Sequence, residues 1–109
     1  MRILYIHQFF AGPDSPGPAQ PRALVRRLAE RGHAVEVLAC NLNAYNEQAE
    51  PEETTEMSGG GSVRVRRLPV PSGLRASLAN RLKTYGAFAW RAWRFGRRQP
   101  APDVVMASI

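Results

Sequence analysis

The chain has 109 residues, 44% of them hydrophobic, with 15 Lys and Arg against 9 Asp and Glu and a formal net charge of +6. That length holds one domain with one core. No stretch reaches the roughly 18 apolar residues of a membrane span, and the run at 3–6 is broken by His7-Gln8 too early for a signal-peptide core. The single cysteine, Cys40, cannot close an internal disulfide, which suits a reducing, cytoplasmic setting. Cys40, His7 and His33 are too few for a Cys/His structural zinc site, so neither metal nor cofactor is implied.

Residues 2–7, Arg-Ile-Leu-Tyr-Ile-His, are apolar enough for a strand buried on both faces, as in a parallel sheet. A loop rich in breakers follows, with Gly12, Pro13, Pro16, Gly17, Pro18 and Pro21. The spacing of Leu24, Val25 and Leu28 predicts a helix over 21–31, with Pro21 in its first turn and Gly32 just past its end. Residues 34–39, Ala-Val-Glu-Val-Leu-Ala, make a second strand and complete a βαβ unit with a right-handed crossover.

The segment 41–62 carries Glu47, Glu50, Glu52, Glu53 and Glu56, then Gly59-Gly60-Gly61, and has little to bury. It reads as a long mobile acidic and Gly-rich loop. Val63-Arg64-Val65-Arg66 alternates as a half-exposed strand, ended by Pro69 and Pro71. A long helix is expected over 74–98, with Leu78, Leu82, Tyr85, Ala89, Ala92 and Trp93 as its apolar arc, flanked by Phe88. Pro100 and Pro102 stop it, and residues 103–108 form a third buried strand, parallel to 2–7 and 34–39. The fold class is therefore α/β, a Rossmann-like parallel sheet with flanking helices. Because a ligand loop is expected after a strand end, the chain reads as the front part of a longer protein.

The charge is segregated. Between Met57 and Pro102 there are ten bases and no acid. Nucleic acid, an anionic membrane surface and a phosphorylated substrate all suit such a half, and so does a plain solvated basic face. On the helix, Arg beside Tyr85, Phe88, Trp90, Trp93 and Phe95 suits peripheral contact with an anionic membrane; the alternative is a surface helix covering the sheet.

The first strand-to-helix loop is the candidate site. Gly12 and Gly17 permit close backbone approach near a helix N-terminus. The dinucleotide fingerprint and the P-loop Lys-Ser/Thr pair are both missing, which argues against a conventional NAD or ATP site. His7 ends the first strand, where it either meets ligand as a hydrogen-bonding or acid–base group or is tied into the sheet's end. His33 and Cys40 read as structural.

These segments together resemble a known family. The strand 2–7 followed by Gln8-Phe9-Phe10, the Pro/Gly loop, a helix ending Leu28-Ala29-Glu30-Arg31-Gly32-His33 and the strand 34–39 are similar to the start of retaining glycosyltransferases of the family 4 type. So is Pro102-Asp103-Val104-Val105-Met106-Ala107-Ser108. The resemblance implies a GT-B enzyme with two Rossmann-like domains facing a cleft. The N-terminal domain would receive the acceptor, a glycan or a lipid-linked sugar, and the C-terminal domain would bind the nucleotide-sugar donor. Residues 1–109 would be the incomplete acceptor-side domain, inactive alone, with the donor-binding carboxylates beyond Ile109. At such a cleft the expected substrate-binding residues are Gly12 and Gly17, through close backbone approach, and His7 and Gln8, through hydrogen bonds to ligand. Of the family's paired glycines only Gly17 matches; Pro18 takes the neighbouring place and lacks a donor N–H. The readings from other classes are a basic nucleic-acid-binding module, against which the buried-type strands and missing reader motif stand, and a non-enzymatic α/β interaction domain.

Overall fold

The computed structural model describes residues 1–12, 17, 20–43, 48–57, 59–70 and 77–108. Five strands form one sheet: β1 (Arg2–His7), β2 (Ala34–Cys40), β3 (Glu53–Glu56), β4 (Ser62–Leu68) and β5 (Val104–Ser108). Among the described residues, helices α1 (Gln20–Glu30) and α2 (Leu78–Arg98) flank it. The spatial order is β3-β4-β2-β1-β5. β1 pairs in parallel with both β2 and β5, and β2 with β4, so the three strands expected to be parallel are parallel. β5 is anchored to β1 at its start, where Arg2 N donates to the Asp103 carboxylate at 2.8 Å and Asp103 N donates to the Arg2 carbonyl at 2.8 Å.

The period-2 alternation of the strands divides the core into two layers. Ile3 and Tyr5 of β1, Val35, Val37 and Ala39 of β2, and Val63 and Val65 of β4 face α1, which contributes Val25 and Ala29. Leu4, Ile6, Leu38, Cys40 and Leu68 face the other way, onto Phe88, Ala92 and Phe95 of α2. Buried on both faces, β1 and β2 need the continuous apolar runs they have.

α1 ends as Gly32 dictates. With φ at +93°, Gly32 lets its own N–H reach the Ala29 carbonyl at 3.0 Å and His33 N reach the Leu28 carbonyl at 3.2 Å. That pair of bonds is the Schellman motif, and it returns the chain directly into β2. Gly61 has a different task. A Cβ there would run into the backbone of Ala29 and His33, so only glycine lets β4 start beside the end of α1.

Two expectations change. Within 41–62, expected as one long loop, residues 53–56 form β3, antiparallel to β4, and Leu42 bridges Ala49. Glu50 is buried there. The segment has few apolar side chains, and its order comes from charged ones, as the site shows. In α2 the face toward the sheet is Thr84, Phe88 and Ala92, whereas Leu78, Leu82, Tyr85 and Trp93 of the expected arc are exposed. Phe88, with Phe95 beside it, reaches Leu4, Ile6, Leu38 and Leu68. The Thr84 hydroxyl donates to the Asn80 carbonyl at 3.0 Å and so can be buried without loss. Ser77 caps the helix, its Oγ accepting from Asn80 N at 3.1 Å. Residues 74–76 of the expected helix lie outside the described residues.

Candidate functional site

The carboxyl ends of β1, β2 and β4 come together at one edge of the sheet, the side on which open α/β sheets receive ligands. Cys40 N donates to the Gln8 carbonyl at 2.7 Å, so the chain leaves β1 still fastened to β2. Phe10 then turns inward and is buried against the α1 layer.

Phe10, Ala11 and Gly12 are each held through the backbone by a charged side chain. The Phe10 carbonyl accepts from Arg67 Nη1, the Ala11 carbonyl from Arg22 Nη2 at 2.8 Å, and Gly12 N donates to Glu50 Oε2. Arg67 sits on β4 in register with Val63 and Val65 and is therefore turned inward, its side chain 3% exposed. It also donates to the carbonyls of Cys40 at 3.3 Å and Pro51 at 3.2 Å. Its guanidinium lies 3.7 Å from Glu50 and 3.9 Å from Glu53. Burial pulls the Arg67 pKa down from its usual value, and the two carboxylates oppose that; the group stays charged. Arg22 grips Glu53 with both terminal nitrogens, at 3.0 and 2.8 Å, while its guanidinium covers the Phe10 ring at 5.0 Å.

One cluster thus joins the first loop, β2, the acidic segment and β4. Arg22, Glu50, Glu53 and Arg67 are not among the residues expected at the site from sequence, where the glutamates read as loop charge and Arg67 as part of the basic half. A usable signal was present in the β4 alternation, which continued by two residues puts Arg67 on the buried face.

Of the residues chosen from sequence, His7 lies at the end of β1, half-buried. Its Nδ1 is 3.3 Å from the Tyr5 hydroxyl, and its ring meets those of Tyr5 and Phe10 at 5.6 and 6.2 Å. Burial lowers its pKa from the usual 6.5, favouring a neutral imidazole. In that form one ring nitrogen carries a proton and the other accepts, and the Tyr5 hydroxyl, donor and acceptor both, can partner Nδ1 in either tautomer. Gln8 follows with its Nε2 buried and without a hydrogen-bond acceptor among the described residues. Gly12 is buried against Glu50; Gly17 is exposed with φ at +147°, a conformation that side chains other than glycine's disfavour. His7, Gln8 and Gly12 thus share the strand-end edge. Pro18 lies outside the described residues. No group of three His, Cys, Asp or Glu among the described residues is arranged to hold a metal ion. Nor is any helix among them long and apolar enough to cross a membrane.

A family model described as "Glycosyl transferase 4-like domain" matches residues 18–108. The chain belongs to that family. The match covers α1, all strands after β1, and α2, and so includes all four residues of the buried charge cluster, Arg22, Glu50, Glu53 and Arg67. His7, Gln8, Gly12 and Gly17 precede residue 18, so their place in this glycosyl transferase 4-like domain rests on geometry alone. A comparison with curated proteins finds no match.

Proposed function

We propose that this domain is the acceptor-side wall of a GT-B glycosyltransferase that moves a sugar from a nucleotide-sugar donor to a glycan or lipid-linked acceptor, with retention of configuration. The observation that carries the reading is the first loop, fixed at three successive backbone positions at the carboxyl ends of parallel strands, in a chain of the glycosyl transferase 4-like family. A loop so held presents its backbone and the side chains of His7 and Gln8 in one geometry, and positioning supplies much of the rate in group transfer. The neutral His7 ring and the buried Gln8 amide suit hydrogen bonds to sugar hydroxyls, which both donate and accept. In the two-domain architecture the nucleotide-sugar sits mainly on a second Rossmann-like domain.

The test is transfer from a panel of nucleotide-sugars to lipid-linked and glycan acceptors. The domain joined to a donor-binding domain transfers sugar, and the 109-residue chain alone transfers none. Gln8→Ala raises the acceptor KM and leaves the donor KM near wild type. Transfer by the isolated chain, or a Gln8→Ala effect confined to the donor KM, would overturn the assignment. Gly17→Trp is the less informative variant, because the positive φ at Gly17 strains any replacement before it fills a cleft.

A further inference from the structure

α2 carries Arg81, Lys83, Arg91, Arg94, Arg97 and Arg98 and no acid, a charge of +6 that equals the net charge of the whole chain. Among the described residues, the sheet takes up the side of the helix that bears Thr84, Phe88, Ala92 and Phe95. On the outward side Trp90 and Trp93 stand 58% and 53% exposed, with their rings 5.4 Å apart, and the Arg97 guanidinium lies over Trp93 at 4.7 Å. Leu82 and Leu78, 60% and 67% exposed, extend the apolar ridge toward the start of the helix.

We propose that this ridge docks the protein on an anionic lipid bilayer. The inference stands independently of the sugar-transfer reading. At 1.5 Å rise per residue, the 21 residues of α2 offer a line about 30 Å long that can lie in the plane of a membrane. Indole rings are at home at headgroup depth, where one edge is wet and the rest apolar. Guanidinium groups stacked on or flanking them meet lipid phosphates at the same level, while their alkyl stems cover apolar surface. Lipid fits both halves of the ridge. A nucleic acid would satisfy the cations and leave Leu78 and Leu82 in water, and an apolar protein groove would cover the leucines while stranding Arg94, Arg97 and Arg98 beside the tryptophans.

Trp90 and Trp93 are the only tryptophans in the chain, so its intrinsic tryptophan emission reports on this ridge alone. The experiment mixes the protein with phosphatidylcholine vesicles, with and without phosphatidylglycerol, and reads both emission and co-sedimentation. Anionic vesicles should shift the emission to shorter wavelength and carry the protein down, less so as salt rises. Arg94→Gln, Arg97→Gln and Arg98→Gln together should lower the partition by about a hundredfold, at roughly fivefold per cation. Trp90→Ala with Trp93→Ala should also weaken sedimentation, whereas Arg26→Gln with Arg27→Gln on α1 should leave it near wild type. Circular dichroism confirms that each variant is folded. Equal binding to uncharged vesicles, an equal loss from the α1 variant, or no vesicle binding alongside tight binding of a single-stranded RNA would each overturn the proposal.

Discussion

Arg67, at the end of β4, is enclosed by the carbonyls of Phe10, Cys40 and Pro51 and by the carboxylates of Glu50 and Glu53. Arg97, on α2, has a tryptophan ring for company and water around it. The chain's acids explain the contrast. Glu50, Glu52 and Glu53 all fall in one short segment, and that segment folds back over the carboxyl ends of the strands to meet Arg22 and Arg67. Around the first loop, therefore, charge is buried, paired and structural. On α2 the same residue type has no carboxylate partner among the described residues and faces outward. Net charge alone says nothing about this division; the placement of a few glutamates decides it.

Removing one member of the buried cluster gives the largest effect expected. Arg67→Ala leaves Glu50 buried beside no cation and strips donors from three carbonyls, so it should cost about 3–5 kcal/mol, read as a shift in the denaturant midpoint. Arg67→Met with Glu50→Leu should recover only part of that, because Gly12 N and the Phe10 carbonyl still lack their partners. Full recovery would mean the cluster contributes charge balance and no hold on the loop. Next in size is a test of the face by which α2 is held. Phe88→Ala should cost about 3 kcal/mol and Leu82→Ala under about 0.5 kcal/mol, since only the first is buried. The reverse order would return α2 to the orientation its largest apolar arc suggests.

The βαβ unit was legible in the chain because independent local signals agree there: apolar runs for β1 and β2, Pro21 at the start of α1, and Gly32 at its end. β3 was not legible. Glu53-Thr54-Thr55-Glu56 has no apolar face, and its order depends on pairing with β4 and on the grip of Arg22 on Glu53, both of which are tertiary. The orientation of α2 failed for a related reason. Two stripes compete on that helix, and periodicity ranks them by their apolar content, whereas the sheet selects the one that brings Phe88 onto Leu38 and Ile6. In the site, the loop itself could be found from its position after β1. The residues that fix it come from 11 to 57 positions away; the β4 alternation tells that Arg67 is buried, but no local pattern tells which loop it holds.

A smaller effect belongs to the start of α2. Ser77→Ala removes the acceptor for Asn80 N and should cost about 1 kcal/mol, while Ser77→Asp, an equally good cap, should cost little. Thermal denaturation of the two variants distinguishes a cap from mere bulk.

His7 gives the subtlest test, because it carries the comparison of buried and exposed charge to a group that can switch. Its half-buried ring loses solvation on protonation, so the folded chain holds its pKa below 6.5, the value to which it returns on unfolding. Between the lowered folded value and 6.5 the unfolded chain binds more protons, and stability must rise with pH across that window. The contribution is complete above 6.5 and is lost as pH falls toward the folded value. Denaturant titrations at about pH 5 and about pH 7 should therefore show a drop on acidification that His7→Gln reduces. A drop of the same size in His7→Gln would assign it to other groups and leave His7 as readily charged as an exposed histidine. A smaller drop keeps the imidazole neutral at the strand end, in the form suited to a sugar hydroxyl.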